Sequence, residues 1–307
     1  MLEKWQTITI GVANLEKALH LWVDLMGFKA VASRKGRDDQ LAQQWDIPAG
    51  SVIEQVLLGH GENQDGRLLL IKTSHSGPSV RLGAAVFDQC VKNIDIYVTD
   101  IVSRGKELQS ANYSSRNALP SEIVAEDGTH FKEMHFHIHD DINLVLLELM
   151  NEPMPFNTMG FGQIGPIISV VADVAQEKKF YKEVLELEML SNNYFNGSEI
   201  ERMIGLPEGS GLDVSIWGTD GQRNAQLELV EYDGVIGKNL FSRGSLPNCG
   251  LHSVCFVTAN AENIVISGQA FPCRIISRGK LNTLAGDGVY WSIFTPAGLR
   301  IDLIEPS

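Results

Sequence analysis

The sequence predicts an α+β fold in which one module of a strand, a helix and further strands occurs four times. Three observations support this prediction: an internal repeat, capped helices that follow short apolar strands, and runs with an alternating β pattern after each helix. The length of 307 residues is enough for two ordinary domains. An apolar fraction of 44% and a charged fraction of 21% are typical of a globular protein.

The internal repeat has a constant offset of 159 residues. It aligns residues 7–28 with 166–187, and the same offset aligns 93–98 with 252–257. One offset that holds over this distance indicates a duplicated half. Residues 151–165 contain two prolines and three glycines, which is typical of a linker. We therefore expect one pair of modules in residues 1–150 and a second pair in 166–307.

Each module is predicted to open with a short apolar strand that leads into a helix. Asn14 and Asp173 stand at the N-cap position of the first and third helices, and apolar residues follow them at helical spacing. The second and fourth modules have Asp100 and Asn260 at the corresponding place. These signals place one helix directly after the opening strand of every module.

The remaining strands of each module are predicted from short β-patterned runs that turn residues separate. The runs cover residues 52–58, 67–72, 131–139, 143–150, 213–217, 225–230, 289–294 and 299–304. Each module therefore reads as strand, helix and about three further strands.

Charge and cysteine content exclude several classes of function. A formal net charge of -13 argues against nucleic acid and against anionic membrane surfaces as partners. No apolar run is long enough to span a bilayer, and the N-terminal residues do not resemble a signal peptide. The four cysteines are scattered without a CxxC pair, so we expect reduced thiols and a cytoplasmic location.

Three segments carry a resemblance to a known family. They are Val-Ala-Asn-Leu-Glu-Lys-Ala at 12–18, Phe-Tyr-Lys-Glu-Val-Leu at 180–185 and Phe-Thr-Pro-Ala-Gly-Leu-Arg-Ile-Asp-Leu-Ile-Glu at 294–305. The chain resembles the vicinal oxygen chelate superfamily of glyoxalases, bleomycin resistance proteins and extradiol dioxygenases, in its four-module, two-domain form. The resemblance implies four βαβββ modules paired into two cup-shaped mixed β-sheet half-barrels with helices outside.

The resemblance also implies where metal ligands would lie. Family members use the first residue of each opening strand and one inward residue of each closing strand. These positions hold Pro166, Glu228, His252 and Asp302 in the C-terminal half, and Thr7, Leu69, Asn93 and Leu146 in the N-terminal half. Because leucine cannot bind a metal, the N-terminal pair is expected to be metal-free, and the C-terminal pair is the candidate site.

The residue pattern agrees with an inward position for the two acids. Glu228 stands between two leucines and Asp302 between Ile301 and Leu303, and neighbouring residues of a strand face opposite sides. A buried carboxylate is unfavourable unless it is paired or bound to a metal. Two carboxylates with the imidazole of His252 suit a divalent cation such as Zn, Ni, Mn or Fe, although the metal can also be absent.

Two departures from the family pattern make one activity of the family less favoured for this chain. Pro166 has no donor atom, and Ser292 stands where the dioxygenase pattern has a tyrosine, so ring cleavage is the less favoured activity. The leading hypothesis is a metal-assisted lyase or isomerase that acts on a small molecule with vicinal oxygens, with Glu228 moving the proton. The alternative is a metal-free protein that binds or sequesters a small molecule. The sequence is also compatible with a homodimer.

A histidine ladder is the remaining candidate feature. His135, His137 and His139 alternate along one predicted strand and would share one face. Three histidines of the same strand cannot converge on one ion without ligands from other elements. We therefore interpret these histidines as a polar face of the strand. The minor alternative is that they bind a metal together with His130 or Glu133.

Overall fold

The computed structural model describes residues 2, 4–126, 128–219 and 223–307. Within these ranges the chain forms six α-helices and seventeen strands. The helices are α1 Leu15–Leu19, which continues as a π-helical segment His20–Leu25, α2 Asp39–Gln44, α3 Ile101–Ser110, α4 Val174–Glu183, α5 Ser198–Ile204 and α6 Ala261–Gly268. Single turns of 3₁₀ helix occur at His139–Asp141 and Phe241–Arg243.

The strands follow the four predicted modules in chain order. Module 1 contains β1 Thr7–Gly11, β2 Lys29–Lys35, β3 Val52–Gly59 and β4 Arg67–Thr73. Module 2 contains β5 Val91–Val98, β6 Ser114–Ser115, β7 Ser121–Val124, β8 His130–His137 and β9 Asn143–Leu149. Module 3 contains β10 Phe161–Val170, β11 Glu188–Asn196, β12 Gly211–Gly218 and β13 Leu227–Asp233. Module 4 contains β14 Gly250–Val257, β15 Arg274–Thr283, β16 Gly286–Phe294 and β17 Arg300–Pro306.

Three of the four predicted N-caps are present. The side chain of Asn14 accepts a hydrogen bond from the amide of Lys17, and Asp173 accepts one from Gln176. Asp100 caps α3 in the same way, with its own backbone in the left-handed region at φ 51°. Each cap satisfies an amide that the first helical turn leaves unpaired. Asn260 precedes α6 as predicted, but its side chain makes no capping bond.

The strands form two sheets, and each sheet joins two modules. The first sheet has the order β15-β16-β17-β14-β1-β4-β3-β2 and therefore unites module 1 with module 4. The second has the order β11-β12-β13-β10-β5-β9-β8-β6, with β7 paired to β8, and unites module 2 with module 3. Both sheets curl, and we call them the first cup and the second cup.

The predicted division into a pair at 1–150 and a pair at 166–307 is therefore wrong. The opening strand β1 pairs antiparallel with β14, with Ile8 opposite Val254. The opening strand β5 pairs with β10, with Ile94 opposite Ile167. The four modules have similar opening strands, so the repeat does not decide which two of them join. The predicted linker also ends inside β10.

One apolar core lies between the two cups. It contains residues from the convex faces of both sheets, such as Ile10 and Leu144, and the buried faces of the helices that cover them, such as Trp22 and Tyr181. Helices α2 and α5 do not share this core; they lie on the concave sides of the first and second cup. Within the described ranges, no helix has the length and apolar character needed to cross a bilayer.

Candidate functional site

The three predicted site residues are divided between the two cups. Glu228 lies on β13 in the second cup, whereas His252 on β14 and Asp302 on β17 lie in the first. Modules 3 and 4, which carry these residues, belong to different sheets. The three side chains therefore do not meet.

Asp302 is fully engaged with other protein groups. Its carboxylate accepts hydrogen bonds from the hydroxyl of Ser292 at 2.6 Å, from that of Ser253 at 3.1 Å and from the amide of Gln44 at 3.3 Å. Arg300 on the same strand donates from Nε at 3.0 Å, and both charged side chains are almost completely buried. The guanidinium of Arg300 therefore balances the charge of this carboxylate.

His252 is buried at the start of β14. Its Nε2 lies 2.9 Å from the carbonyl oxygen of Asn248 and donates to it, while Nδ1 has no hydrogen-bond partner among the described residues. Burial lowers the pKa of His252 to about 4, and the nearby charge of Arg300 acts in the same direction. The imidazole is therefore neutral near pH 7.

Side chains of the α2 region fill the first cup. The indole of Trp45 is 2% exposed and lies over the guanidinium of Arg300, with 3.6 Å between the guanidinium carbon and the ring centre. The same indole packs against His252, with 5.6 Å between the ring centres. Arg300 also donates to the carbonyl oxygen of Gln44 at 2.9 Å. The concave side of this cup is thus occupied by the protein itself.

The second cup contains a cavity of about 140 Å³. An apolar cavity of roughly 150 Å³ accommodates a molecule of the size of benzene. Its walls are mainly apolar and include Ile168 from the sheet and Ile204 from α5. Its polar lining includes the carboxyls of Asp95, Glu133 and Glu228 from three different strands.

The alternation of strand residues explains these positions. Glu228 lines the cavity, whereas Leu227 and Leu229 enter the core between the cups. On β5, Asp95 lines the cavity, while Ile94 and Ile96 enter that core. Successive side chains of a strand face opposite sides, so one strand supplies both an acid for the cavity and apolar groups for the core.

Two of the cavity carboxyls have raised pKa values. Burial and the carboxylate of Glu133 raise the pKa of Glu228 to about 8. Burial, reinforced by Glu228 and Glu133, raises the pKa of Asp95 well above its usual range. Oδ1 of Asp95 has no hydrogen-bond partner in the described part of the chain. Near pH 7 these two groups are mainly protonated, and each can donate a hydrogen bond.

A lysine is buried beside these acids. Lys92 is 3% exposed, and its Nζ donates to the hydroxyl of Tyr232 at 2.7 Å. Burial, together with the positive charges of Arg81 and Arg116, lowers the pKa of Lys92 to about 7. The cavity therefore contains a base and an acid that both titrate close to neutral pH, which is characteristic of functional sites.

The histidine ladder is only partly as predicted. His135 lines the cavity, and its Nε2 lies 2.5 Å from Glu133 while Nδ1 lies 3.0 Å from the amide of Asn143. His137 is largely exposed. His139 faces the opposite side, where its Nε2 accepts a hydrogen bond from the indole of Trp22 at 3.0 Å. Because β8 ends at His137, the alternation of the strand does not extend to His139.

Comparisons with known proteins place this geometry in a known fold. No protein family model matches the sequence, and no curated protein matches it. Glyoxalase I from Zea mays is similar in structure over 99% of this chain and 92% of its own, with a TM-score of 0.69 and 15% identity. A protein from Bacillus subtilis assigned as a dioxygenase is similar over 99% of this chain and 85% of its own, with a TM-score of 0.63 and 10% identity. The chain has the vicinal oxygen chelate fold.

The vicinal oxygen chelate fold does not bring the predicted metal ligands together in this chain. Glu228 is in one cup, and His252 and Asp302 are in the other. In the described ranges, no three His, Cys, Asp or Glu side chains form a group that could hold a metal ion. Pro166 lines the cavity of the second cup, where it supplies no ligand atom. The donor set of these residues does not fit a metal.

Leu146, which was predicted to face the inside of a cup, does not line the cavity. Leu146 belongs to the core between the cups, while its neighbour Leu147 lines the cavity. The sequence reasoning missed Lys92 and Asp95 and gave Glu133 only a minor role. A signal for Asp95 was present, because Asn93, Asp95 and Tyr97 alternate with apolar residues just as Glu228 does.

Proposed function

We propose that the second cup binds a small carbonyl compound with vicinal oxygens and that Glu228 transfers a proton within it. The observation that supports this most directly is that three carboxyls line one mainly apolar cavity. The raised pKa of Glu228 suits a group that must both accept and return a proton near neutral pH. The reaction class is isomerisation or lyase chemistry through an enediol.

The proton transfers follow from the arrangement of the carboxyls. The ionised form of Glu228, the minor form near pH 7, removes a proton from the carbon beside the carbonyl. The electron pair of that C–H bond forms a carbon–carbon double bond, and the π pair of the carbonyl moves to its oxygen. Protonated Asp95 gives its proton to this oxygen, which forms the enediol. Asp95 then takes the proton of the second hydroxyl, and Glu228 returns its proton to the former carbonyl carbon. The product is an isomer, and both acids regain their starting states.

The steps above use only groups of the chain. Two of these groups can stabilise the developing charge on oxygen. Asp95 is a protonated donor within the cavity, and Lys92 lies at its edge with a pKa of about 7. Preorganised donors in a site that excludes water are an effective way to stabilise an oxyanion.

Deuterium exchange tests the proposal. Hydroxyacetone is incubated with the protein in D₂O, and loss of its methylene signal is followed by ¹H NMR. We expect exchange above the rate without protein, and a decrease of about 100-fold or more in Glu228→Gln, since general base catalysis contributes about that much. Glu188→Gln removes an exposed carboxylate of β11 and is the matched control. Exchange that is equally fast in Glu228→Gln would rule out the assigned role.

The mainly apolar wall of the cavity supports a second function, the metal-free binding of a small molecule without reaction. In that case hydroxyacetone or an apolar analogue of benzene size would bind without exchange. Saturation-transfer NMR on the same samples measures binding separately from exchange. Binding without exchange favours this second function, and exchange that depends on Glu228 favours the first.

The state of the cysteines bears on where the protein works. All four cysteines are free thiols, and burial raises the pKa of Cys90 and Cys255. Unpaired thiols of this number are typical of a reducing compartment. We therefore propose a cytoplasmic location, which cell fractionation with an antibody against the protein tests directly.

A further inference from the structure

A second hollow of about 440 Å³ adjoins the cavity of the second cup. Lys92 and His135 line both spaces and therefore stand where the two meet. Arg81 and Arg116 also line the hollow, together with Ser114 and Asn143. We call this hollow the basic pocket.

The cations of the basic pocket lack carboxylate partners. Arg81 donates to the carbonyl oxygen of Ala85 at 2.6 Å and to the sulfur of Cys90 at 2.9 Å. Lys92 donates to the hydroxyl of Tyr232 at 2.7 Å. In the described part of the chain, neither these two cations nor Arg116 is within 4.0 Å of a carboxylate oxygen. Asp141 also lines the pocket, but it is paired with His137 at 3.2 Å.

The three cations act on each other unfavourably. The charges of Arg81 and Arg116 disfavour the protonated form of the buried Lys92. The chain has 38 acidic and only 25 basic residues, so acidic partners are plentiful elsewhere. The carboxylate of Glu133 acts on Lys92 in the opposite direction. Like charges that lie close together are unfavourable unless an anion offsets them. The pocket therefore has the charge and the polar donors of an anion site.

We infer that the basic pocket binds the anionic group, a carboxylate or a phosphate, of the molecule whose reactive carbon lies beside Glu228. This inference rests on the proposed function and adds the substrate class to it. Arg116 offers a planar set of donors that matches either anion, and the hydroxyl of Ser114 supplies a neutral donor. Lys92, at the junction, contacts the substrate between its anionic group and its carbonyl.

Three probes that share a hydroxymethyl ketone and differ in the group attached to it test the inference. Hydroxyacetone is neutral, hydroxypyruvate carries a carboxylate and dihydroxyacetone phosphate carries a phosphate. Deuterium exchange at the carbon beside the carbonyl gives kcat/KM for each probe. We expect one anionic probe to exceed hydroxyacetone by 10-fold or more. The preferred anion identifies the group that the pocket receives.

Variants of Arg116 connect this preference to the pocket. Arg116→Gln is expected to reduce the ratio of anionic to neutral kcat/KM by 10-fold or more, and Arg116→Lys is expected to restore part of it. Arg116 is exposed at the rim, and thermal unfolding verifies that both variants are folded. The matched control is Arg274→Gln, which changes an exposed arginine on β15 of the first cup and should leave the ratio unchanged.

A binding measurement separates failure of the pocket from failure of the reaction. Inorganic phosphate and acetate are titrated calorimetrically into the full chain and into Arg116→Gln. If either anion binds 10-fold or more weakly to the variant, the pocket is an anion site. This conclusion holds even if no probe exchanges deuterium and the proposed function is wrong. Exchange of hydroxyacetone without any preference for anions, together with no binding of phosphate or acetate, overturns the pocket and leaves the proposed function intact.

Discussion

Arg300 and Asp302 are two residues apart on β17 and form a buried ion pair, with 3.0 Å between Nε and Oδ1. Residues at positions i and i+2 of a strand face the same side, so both side chains point into the first cup. Trp45 covers the guanidinium from the other side. The acid that the sequence offers as a metal ligand is thus paired with an arginine of its own strand.

Removing one member of this pair should destabilise the protein strongly. Asp302→Asn leaves the buried guanidinium of Arg300 without its counter-charge, and we expect a loss of about 3 kcal/mol in the free energy of unfolding. Urea denaturation followed by circular dichroism measures this. The double variant Arg300→Met/Asp302→Leu removes both charges and should recover most of the loss. A single variant as stable as the parent would show that the pair contributes little.

The packing of Trp45 inside the first cup should contribute strongly to the stability of the protein. Trp45→Ala removes a buried indole together with its contacts to Arg300 and His252, and we expect a loss of about 3 kcal/mol or more. Trp45→Phe keeps part of the ring contact and should lose less. Thermal unfolding of the two variants under the same buffer conditions compares them. Equal stability of the alanine and phenylalanine variants would contradict the packing described here.

The pKa of Glu228 predicts how stability depends on pH. Burial raises this pKa from 4.5 to about 8, so the folded state retains a proton that the unfolded state releases above about pH 4.5. The contribution of Glu228 to stability is therefore complete below about pH 4.5 and is lost as the pH rises to about 8. Relative to Glu228→Gln, the parent should lose on the order of 5 kcal/mol over this interval. Denaturant titrations at several pH values measure the difference, and parallel profiles would show that Glu228 has an ordinary pKa.

His252 should make the protein sensitive to acid. Burial lowers the pKa of His252 from 6.5 to about 4. Between these two pH values the unfolded state binds a proton that the folded state does not bind. The stability contributed by neutral His252 is complete above about pH 6.5 and is lost as the pH falls to about 4. His252→Gln should reduce this loss by about 3 kcal/mol, whereas the exposed His75→Gln should not. Identical acid profiles for both variants would contradict the buried neutral imidazole.

The pairing of modules predicts how fragments behave. A fragment of residues 1–150 contains β1 without β14 and β5 without β10, so two opening strands lack a neighbour. Unpaired strand edges favour association, and we expect no folded monomer of this fragment. Coexpression with residues 151–307 should give a one-to-one complex in size-exclusion chromatography with light scattering. A monomeric fragment 1–150 with dispersed NMR signals would contradict the pairing.

The sequence by itself determined the local structure of this protein. The caps at Asn14, Asp100 and Asp173 and the β-patterned runs predicted the modules, because hydrogen bonds and alternation within a few residues decide these elements. The repeat predicted two similar halves, and the strand and helix-start signals within each half predicted two modules in each. Flanking leucines likewise predicted that Glu228 faces away from the core.

Only the tertiary structure decided which modules join and therefore which side chains meet. Each opening strand offers a similar apolar edge, so module 1 could pair with module 2 or with module 4 without any change in local pattern. The actual pairing separates Glu228 from His252 and brings it to Asp95 and Glu133. Contacts between residues far apart in the chain depend on the packing of whole sheets. The pattern within one segment therefore does not predict which modules pair.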